Sequence, residues 1–358
     1  MTKLHRLSSI VQEFPPSYFS MVMATGIISI AADLVGFSVI PRALLWLNVA
    51  FYVLLWLFTI ARILFYSDRF VKDLRDFNRG VGYLTTVAAT CILGSQIVIL
   101  DEAHQLGFVF LCAGSFLWGL LTYSLFTALM VRTDKPGIED GINGAWLLTT
   151  VSAQSVSVLA GRLANQFPPY QEPILFFSLG MFLVGCSLYL IVITLTFYRL
   201  MFKELTPERF SSTYWINMGA VAISALAGTI LAQTTHDGRI LSPFAPFVDG
   251  LTIMCWSMAT WWIPILLILT LWKHIQGRVR LSYSPEYWSL VFPLGMYTAC
   301  TAKLSETFHL HFLLVIPHYF IYLAFAAWLM TFFGLIKFII NFLFNDGVVN
   351  APEENNIK

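Results

Sequence analysis

Residues able to do chemistry are scarce in the apolar stretches of this chain, and their types narrow what chemistry is open. His309, His311 and His318 form the one histidine cluster, and a His-x-His pair is a familiar start to a metal site. Only Glu306 stands near enough to extend it, so neither a metal nor any other cofactor is expected. No HExxH or GxSxG motif and no carboxylate pair occurs at membrane depth, which argues against an enzyme. What recurs instead is hydroxyls among small residues, at Thr25, Thr90, Thr150 and Ser152. Uncharged hydroxyls suit the lining of a narrow, weakly polar path. Ionisable residues are missing from the middle of these segments, and such residues are the usual mark of proton relays and ion-coupled pumps. Passive or weakly coupled passage is therefore expected.

Positioning such residues falls to membrane helices. With 58% hydrophobic and 11% charged residues over 358 positions, the chain reads as an all-α integral membrane protein. A span crosses about 30 Å of hydrocarbon with roughly 20 mostly apolar residues. Ten stretches qualify: Tyr18–Leu34, Ala43–Phe65, Gly82–Leu100, Gly107–Met130, Gly144–Ala160, Ile174–Phe197, Trp215–Leu231, Val248–Trp272, Trp288–Leu304 and Leu310–Ile340. They define one transport domain over residues 18–340, between a cytoplasmic N-terminus, 1–17, and a cytoplasmic, disordered C-terminus, 341–358. No cleavable signal peptide is expected, and no soluble domain is left to hold nucleotide or nucleic acid. The five cysteines fall in predicted helices without CxxC spacing and read as packing residues.

The spans repeat. An aromatic followed by small residues recurs about every 65 residues: Tyr18-Phe19 before Ala24-Thr25-Gly26, Tyr83 before Ala88-Ala89-Thr90, Trp146 before Ser152-Ala153, Tyr214-Trp215 before Gly219-Ala220, and Tyr287-Trp288 before Phe292-Pro293-Leu294-Gly295. A greasier span follows each copy, so the expected unit is a helical hairpin, present five times. Odd spans hold most of the Gly, Ala, Ser and Thr, whereas even spans are bulky, as in Leu54-Leu55-Trp56-Leu57-Phe58. Odd helices are expected inside, around a central pore, and even helices outside against lipid. The candidate lining residues are Met23, Ala24, Thr25, Gly26, Ala88, Ala89, Thr90, Thr150, Val151, Ser152, Gly219, Ala220, Phe292, Pro293 and Gly295.

Cations set the orientation. Placing both termini in the cytoplasm leaves only Arg42, Arg162, Arg239 and Lys303 of the 21 Lys and Arg outside. The cytoplasmic face then carries excess positive charge, the odd helices point their partly positive N-termini at it, and no acidic ring projects inward. All three features favour anions over cations. Asn143 and Asn217 begin the fifth and seventh helices, where capping is the expected role and greeting an entering anion the alternative. Gln154 is read as bonding across helices or lining the pore, and Gln233 and Lys303 fall at the outer mouth, with Lys303 paired to Glu306.

Three stretches, Pro16–Gly26, Gly141–Leu148 and Tyr287–Gly295, resemble the tellurite-resistance/dicarboxylate transporter family, which includes plant slow-type anion channels, fungal malate permeases and sulfite exporters. The resemblance runs through the whole membrane region. It implies five hairpins in quasi-fivefold order, a homotrimer with one pore per protomer, and a gate formed by an aromatic on the ninth helix just before Pro or Gly. Here that residue is Phe292. The expected function is transport of small inorganic or organic anions through a gated, channel-like pore in a bacterial inner membrane. The alternative is a secondary carrier for C4-dicarboxylates such as malate, or an exporter of sulfite or tellurite.

Overall fold

The computed structural model describes residues 10–235 and 241–344. Arg239 and, of the expected tails 1–17 and 341–358, residues 1–9 and 345–358 lie outside the described residues. Ten long helices carry the architecture: α1 Ser20–Val35, α2 Ile40–Phe65, α3 Leu84–Asp101, α4 His104–Met130, α5 Leu148–Ala164, α6 Gln171–Phe202, α7 Ile216–Thr235, α8 Ala245–Leu271, α9 Trp288–Thr307 and α10 Val315–Phe344. Strands are absent among the described residues. α10 runs past residue 340, where the transport domain was expected to end, and a short helix, Ser67–Leu74, sits in the loop after α2.

Eight of the long helices, with their lead-in turns, are long and apolar enough to cross a membrane. The chain is a multi-pass membrane protein. The two that fall short of that measure are α5 and α9. Their deficit has a physical reason: α5 carries Thr149, Thr150, Ser152, Gln154, Ser155 and Ser157, all buried by other helices rather than offered to lipid. A helix wrapped by protein does not have to be apolar on its surface.

Each odd helix packs on the even helix that follows it, giving five hairpins. The odd helices also pack on one another in chain order, α1 on α3, α3 on α5, α5 on α7, α7 on α9, and α9 back on α1. Every even helix additionally touches the next odd helix, with α10 reaching α1.

The aromatic that opens each repeat proves to be a 3-10 turn. Such turns occupy Pro16–Phe19, Gly80–Tyr83, Gly144–Leu147, Ser212–Trp215 and Pro285–Tyr287, each running directly into its odd helix. In three hairpins the same latch closes the open end. Arg62 at the end of α2 donates to the Phe14 carbonyl, Arg199 near the end of α6 to the Ile142 carbonyl (2.7 Å), and Lys273 beyond α8 to the Phe210 carbonyl (2.7 Å). Each accepting carbonyl lies six residues before its odd helix begins. Arg62 is also held by Asp73 at 2.7 Å, and Asp73 by Arg79 at 3.0 Å. Beside the Arg199 latch, an exposed bridge joins Glu139 to Lys203; this hydrogen bond holds the Glu139 carboxyl below its ordinary range and raises the Lys203 ammonium.

Candidate functional site

Because the five odd helices start from equivalent turns, counting from their first residues gives a common depth scale. The fifth residues are Ala24, Ala88, Ser152, Ala220 and Phe292, all at most 1% exposed. At this level four small side chains accompany one large ring.

Hydrogen bonds show which way the next positions face. At the sixth, Thr25 accepts the indole N–H of Trp328 on α10 (3.1 Å). At the seventh, Thr90 shares a hydrogen bond with the Tyr52 hydroxyl on α2 (2.9 Å), and the Gln154 amide donates to the Phe182 carbonyl on α6 (3.0 Å). Gly26, also seventh, leaves room for both Ile92 of α3 and Asn48 of α2, which would stand 2.8 and 2.9 Å from a Cβ there. The hydrogen-bonding side chains at the sixth and seventh positions thus reach the outer helices, although Pro293, sixth in α9, packs on Gly219 of α7. At about 100° per residue, the fifth position lies about 100° and 200° back from them, turned away from the outer ring.

The same measurements sort the other expected lining residues. Gly219 abuts Pro293, since a Cβ on it would meet the proline ring at 2.7 Å; Gly295 abuts Ile27 and Ile28 of α1 at 3.0 and 2.9 Å. These glycines let inner helices touch one another. Ala89, Met23 and Val151 are buried in the same layer, and the buried Thr150 hydroxyl has no partner among the described residues. Pro293 lies inside α9, where it removes one helical hydrogen bond immediately after Phe292.

The two asparagines differ. Asn143 caps its turn, accepting from the Ala145 N–H at 2.8 Å, as its position suggested. Asn217 does not cap: it is fully buried, and both its amide oxygen and nitrogen lack partners among the described residues. It lies one turn before Ala220. Higher up, the Ser95 hydroxyl, twelfth in α3, is likewise buried without a partner. Buried polar groups are costly unless something satisfies them. Lys303 pairs with Glu306 at 2.8 Å, and Gln233 donates to Thr307 at 2.9 Å. The rings of His309 and His311 stand 6.3 Å apart, and no group of three or more His, Cys, Asp or Glu suited to a metal occurs among the described residues.

A match to the SLAC1 family of voltage-dependent anion channels covers residues 13–336. The chain belongs to that family. An uncharacterized transporter of Methanocaldococcus jannaschii is 24% identical over 332 residues, which are 90% of this chain and 92% of that one. An uncharacterized membrane protein of Mycobacterium tuberculosis is 34% identical over 149 residues, 42% of this chain and 75% of the other. A sulfite efflux pump of Trichophyton rubrum is 22% identical over 357 residues, covering 90% of each. The family expected from Pro16–Gly26, Gly141–Leu148 and Tyr287–Gly295 is the one found, and the function it carries is anion transport.

Proposed function

We propose that the ten helices span the membrane as five hairpins in quasi-fivefold order, with the odd helices enclosing a pore for small anions and Phe292 plugging it. The observation that carries this reading is the fifth-residue level: one Phe among Ala24, Ala88, Ser152 and Ala220, on the side of each helix turned from the outer ring. Of the expected lining residues, these five are assigned to the path. Thr25, Gly26, Thr90, Gly219, Pro293 and Gly295 are assigned to helix contacts. The unpartnered amide of Asn217 would supply N–H donors to an anion arriving at the plug. The cation-rich loops favour a cytoplasmic location for both termini, a bacterial inner membrane is the setting in which we read the chain, and the bulky even helices leave a lipid or subunit surface suited to a homotrimer.

The test is anion flux and current in proteoliposomes, wild type beside Phe292→Ala, with chloride, nitrate, malate and sulfite. A linear conductance appearing in the mutant supports a gated channel. Unchanged currents from well-inserted mutant protein would sink the gate. A second reading, a saturable exporter, is favoured by the likeness to sulfite efflux pumps. It predicts counterflow of sulfite and loss of transport when Phe292 is truncated.

A further inference from the structure

At the far ends of the inner helices, a cavity of about 290 Å³ opens between α3, α5, α7 and α9. Its wall includes Val98, Arg162 and Ile230, which are the fifteenth residues of α3, α5 and α7. At that position α1 and α9 carry Leu34 and Ala302, so α5 alone places a charge there. Ten residues of helix put this level about 15 Å beyond Phe292. Lys303, one residue further along α9, and His104, at the start of α4, complete a basic rim.

Arg162 is not occupied by the fold. Its Nε is shielded from solvent and has no hydrogen-bond partner, and no carboxylate forms an ion pair with it among the described residues. Nor does it cap the last carbonyls of α5, since its guanidinium donates to none of them among the described residues. The cavity wall contains no Asp or Glu among the described residues. The nearest acid along α9, Glu306, is bound to Lys303. His104, also in the wall, has a buried Nδ1 without a partner among the described residues. Inner-helix C-termini converge here, and their partial negative charge opposes an anion. A cation at this level is what would reverse that field.

The geometry points to a second anion site, an outer vestibule in which Arg162 is the principal ligand and Lys303 an auxiliary one. The inference rests on the pore reading for its place on the path, though not for its ability to bind. A guanidinium presents a planar fork of N–H donors, so the site takes small oxyanions such as nitrate or sulfite in preference to chloride. Its role is to gather or release anions at the end of the pore opposite Asn217.

Calorimetric titration of the purified full-length protein with nitrate and with chloride tests binding, and flux from each side of oriented proteoliposomes tests its place. Wild type binds nitrate more tightly than chloride. Arg162→Gln weakens nitrate binding by roughly tenfold or more, the usual weight of a charged hydrogen bond. Arg162→Lys recovers part of it, and Lys303→Gln has a smaller effect. In flux, Arg162→Gln raises the half-saturating nitrate concentration on the outer side only. Unchanged binding in folded Arg162→Gln protein overturns the site. Should Arg162→Gln fail to fold, equal affinities in wild type and Arg162→Lys, or tighter chloride than nitrate, overturn it as well. Wild-type binding that depends on Arg162, with no flux, would leave the site standing and remove the pore; flux indifferent to Arg162 would leave the pore standing and overturn the site's place on the path.

Discussion

The two arms of the fourth hairpin are made from neighbouring chain and face opposite demands. In the central stretch of Ser212–Thr234 every residue is buried, whereas in Ser242–Gln276 only 28% are. The contrast holds elsewhere: 78% and 89% for the spans containing α1 and α3, against 17% to 44% for those containing the even helices. Lipid-facing arms can be bulky at no packing cost, and Trp46, Phe116, Phe176 and Phe333 stand exposed on them. Inner arms must fit between four neighbours, so they are built of residues that let backbones approach. The small residues are therefore not a single class. Those at the fifth position border the proposed path; Thr25, Thr90 and Gln154 at the sixth and seventh fasten the inner arm to the outer ones, and glycines such as Gly219 and Gly295 let inner arms touch one another.

The largest expected effect comes from moving the bulky residue around the ring. Phe292→Ala should raise conductance at least about tenfold, the consequence of removing roughly 1.4 kcal/mol of barrier. Adding Ala88→Phe to that variant should return conductance toward wild type, because residue 88 occupies the same level on α3. Single-channel recording of the pair decides it. A double mutant as open as the single would break the equivalence of the five inner arms.

Next are the latches that hold the arms together. Arg62→Met removes a buried cation from the Phe14 carbonyl and from Asp73, and should cost about 3 kcal/mol, the low end for breaking a buried pair because Arg79 still holds Asp73. Thermal unfolding in detergent measures it, and a loss no larger than for the exposed Arg69→Met would show that the hairpin does not need the latch. The glycines give a matched comparison. A Cβ at Gly144 would collide with Thr213 and come within 2.6 Å of the Tyr214 Cα, both backbone, whereas one at Gly180 on α6 meets nothing within 4 Å. Gly144→Ala should destabilise by about 1–3 kcal/mol. Gly180→Ala should be neutral or stabilise by about 0.5–1 kcal/mol.

Much of this division could be read from composition. The hairpin count, the alternation of small and bulky spans and the family followed from patterns spread over many residues, each tolerant of local error. Facing direction was another matter. Thr25, Thr90 and Ser152 are similar hydroxyl residues a few positions apart in the repeat, yet two accept or share hydrogen bonds with outer aromatics and one does not. The signal lay in the partner, Trp328 or Tyr52, which sequence spacing cannot pair with them. Asn217 reads as a cap because it sits near a helix start; the 3-10 turn before it moves that start upstream and leaves the amide inside. Arg62 and Arg199 carried no signal of their role: both are less than a tenth exposed, and the carbonyls they hold, Phe14 and Ile142, lie far away in the chain.

The contrast between two hydroxyls is the sharpest on this point, because it sets stability against selectivity. Thr25→Val leaves the Trp328 indole N–H without its acceptor and should lower stability by about 1–3 kcal/mol. Since the hydroxyl faces α10 and not the path, the order of permeating anions should not change. Ser152→Ala is the counterpart: its hydroxyl donates only to the Thr149 carbonyl of its own helix at 3.0 Å, so its loss should be nearly silent in unfolding. Its effect should appear in conductance, where one of the few polar groups at the Phe292 level is gone. Unfolding midpoints and reversal potentials for the two variants, in the Phe292→Ala background so that current is measurable, give the comparison. If Thr25→Val shifts the reversal potential and Ser152→Ala does not, the register is rotated by one residue, and the sixth position, not the fifth, borders the path.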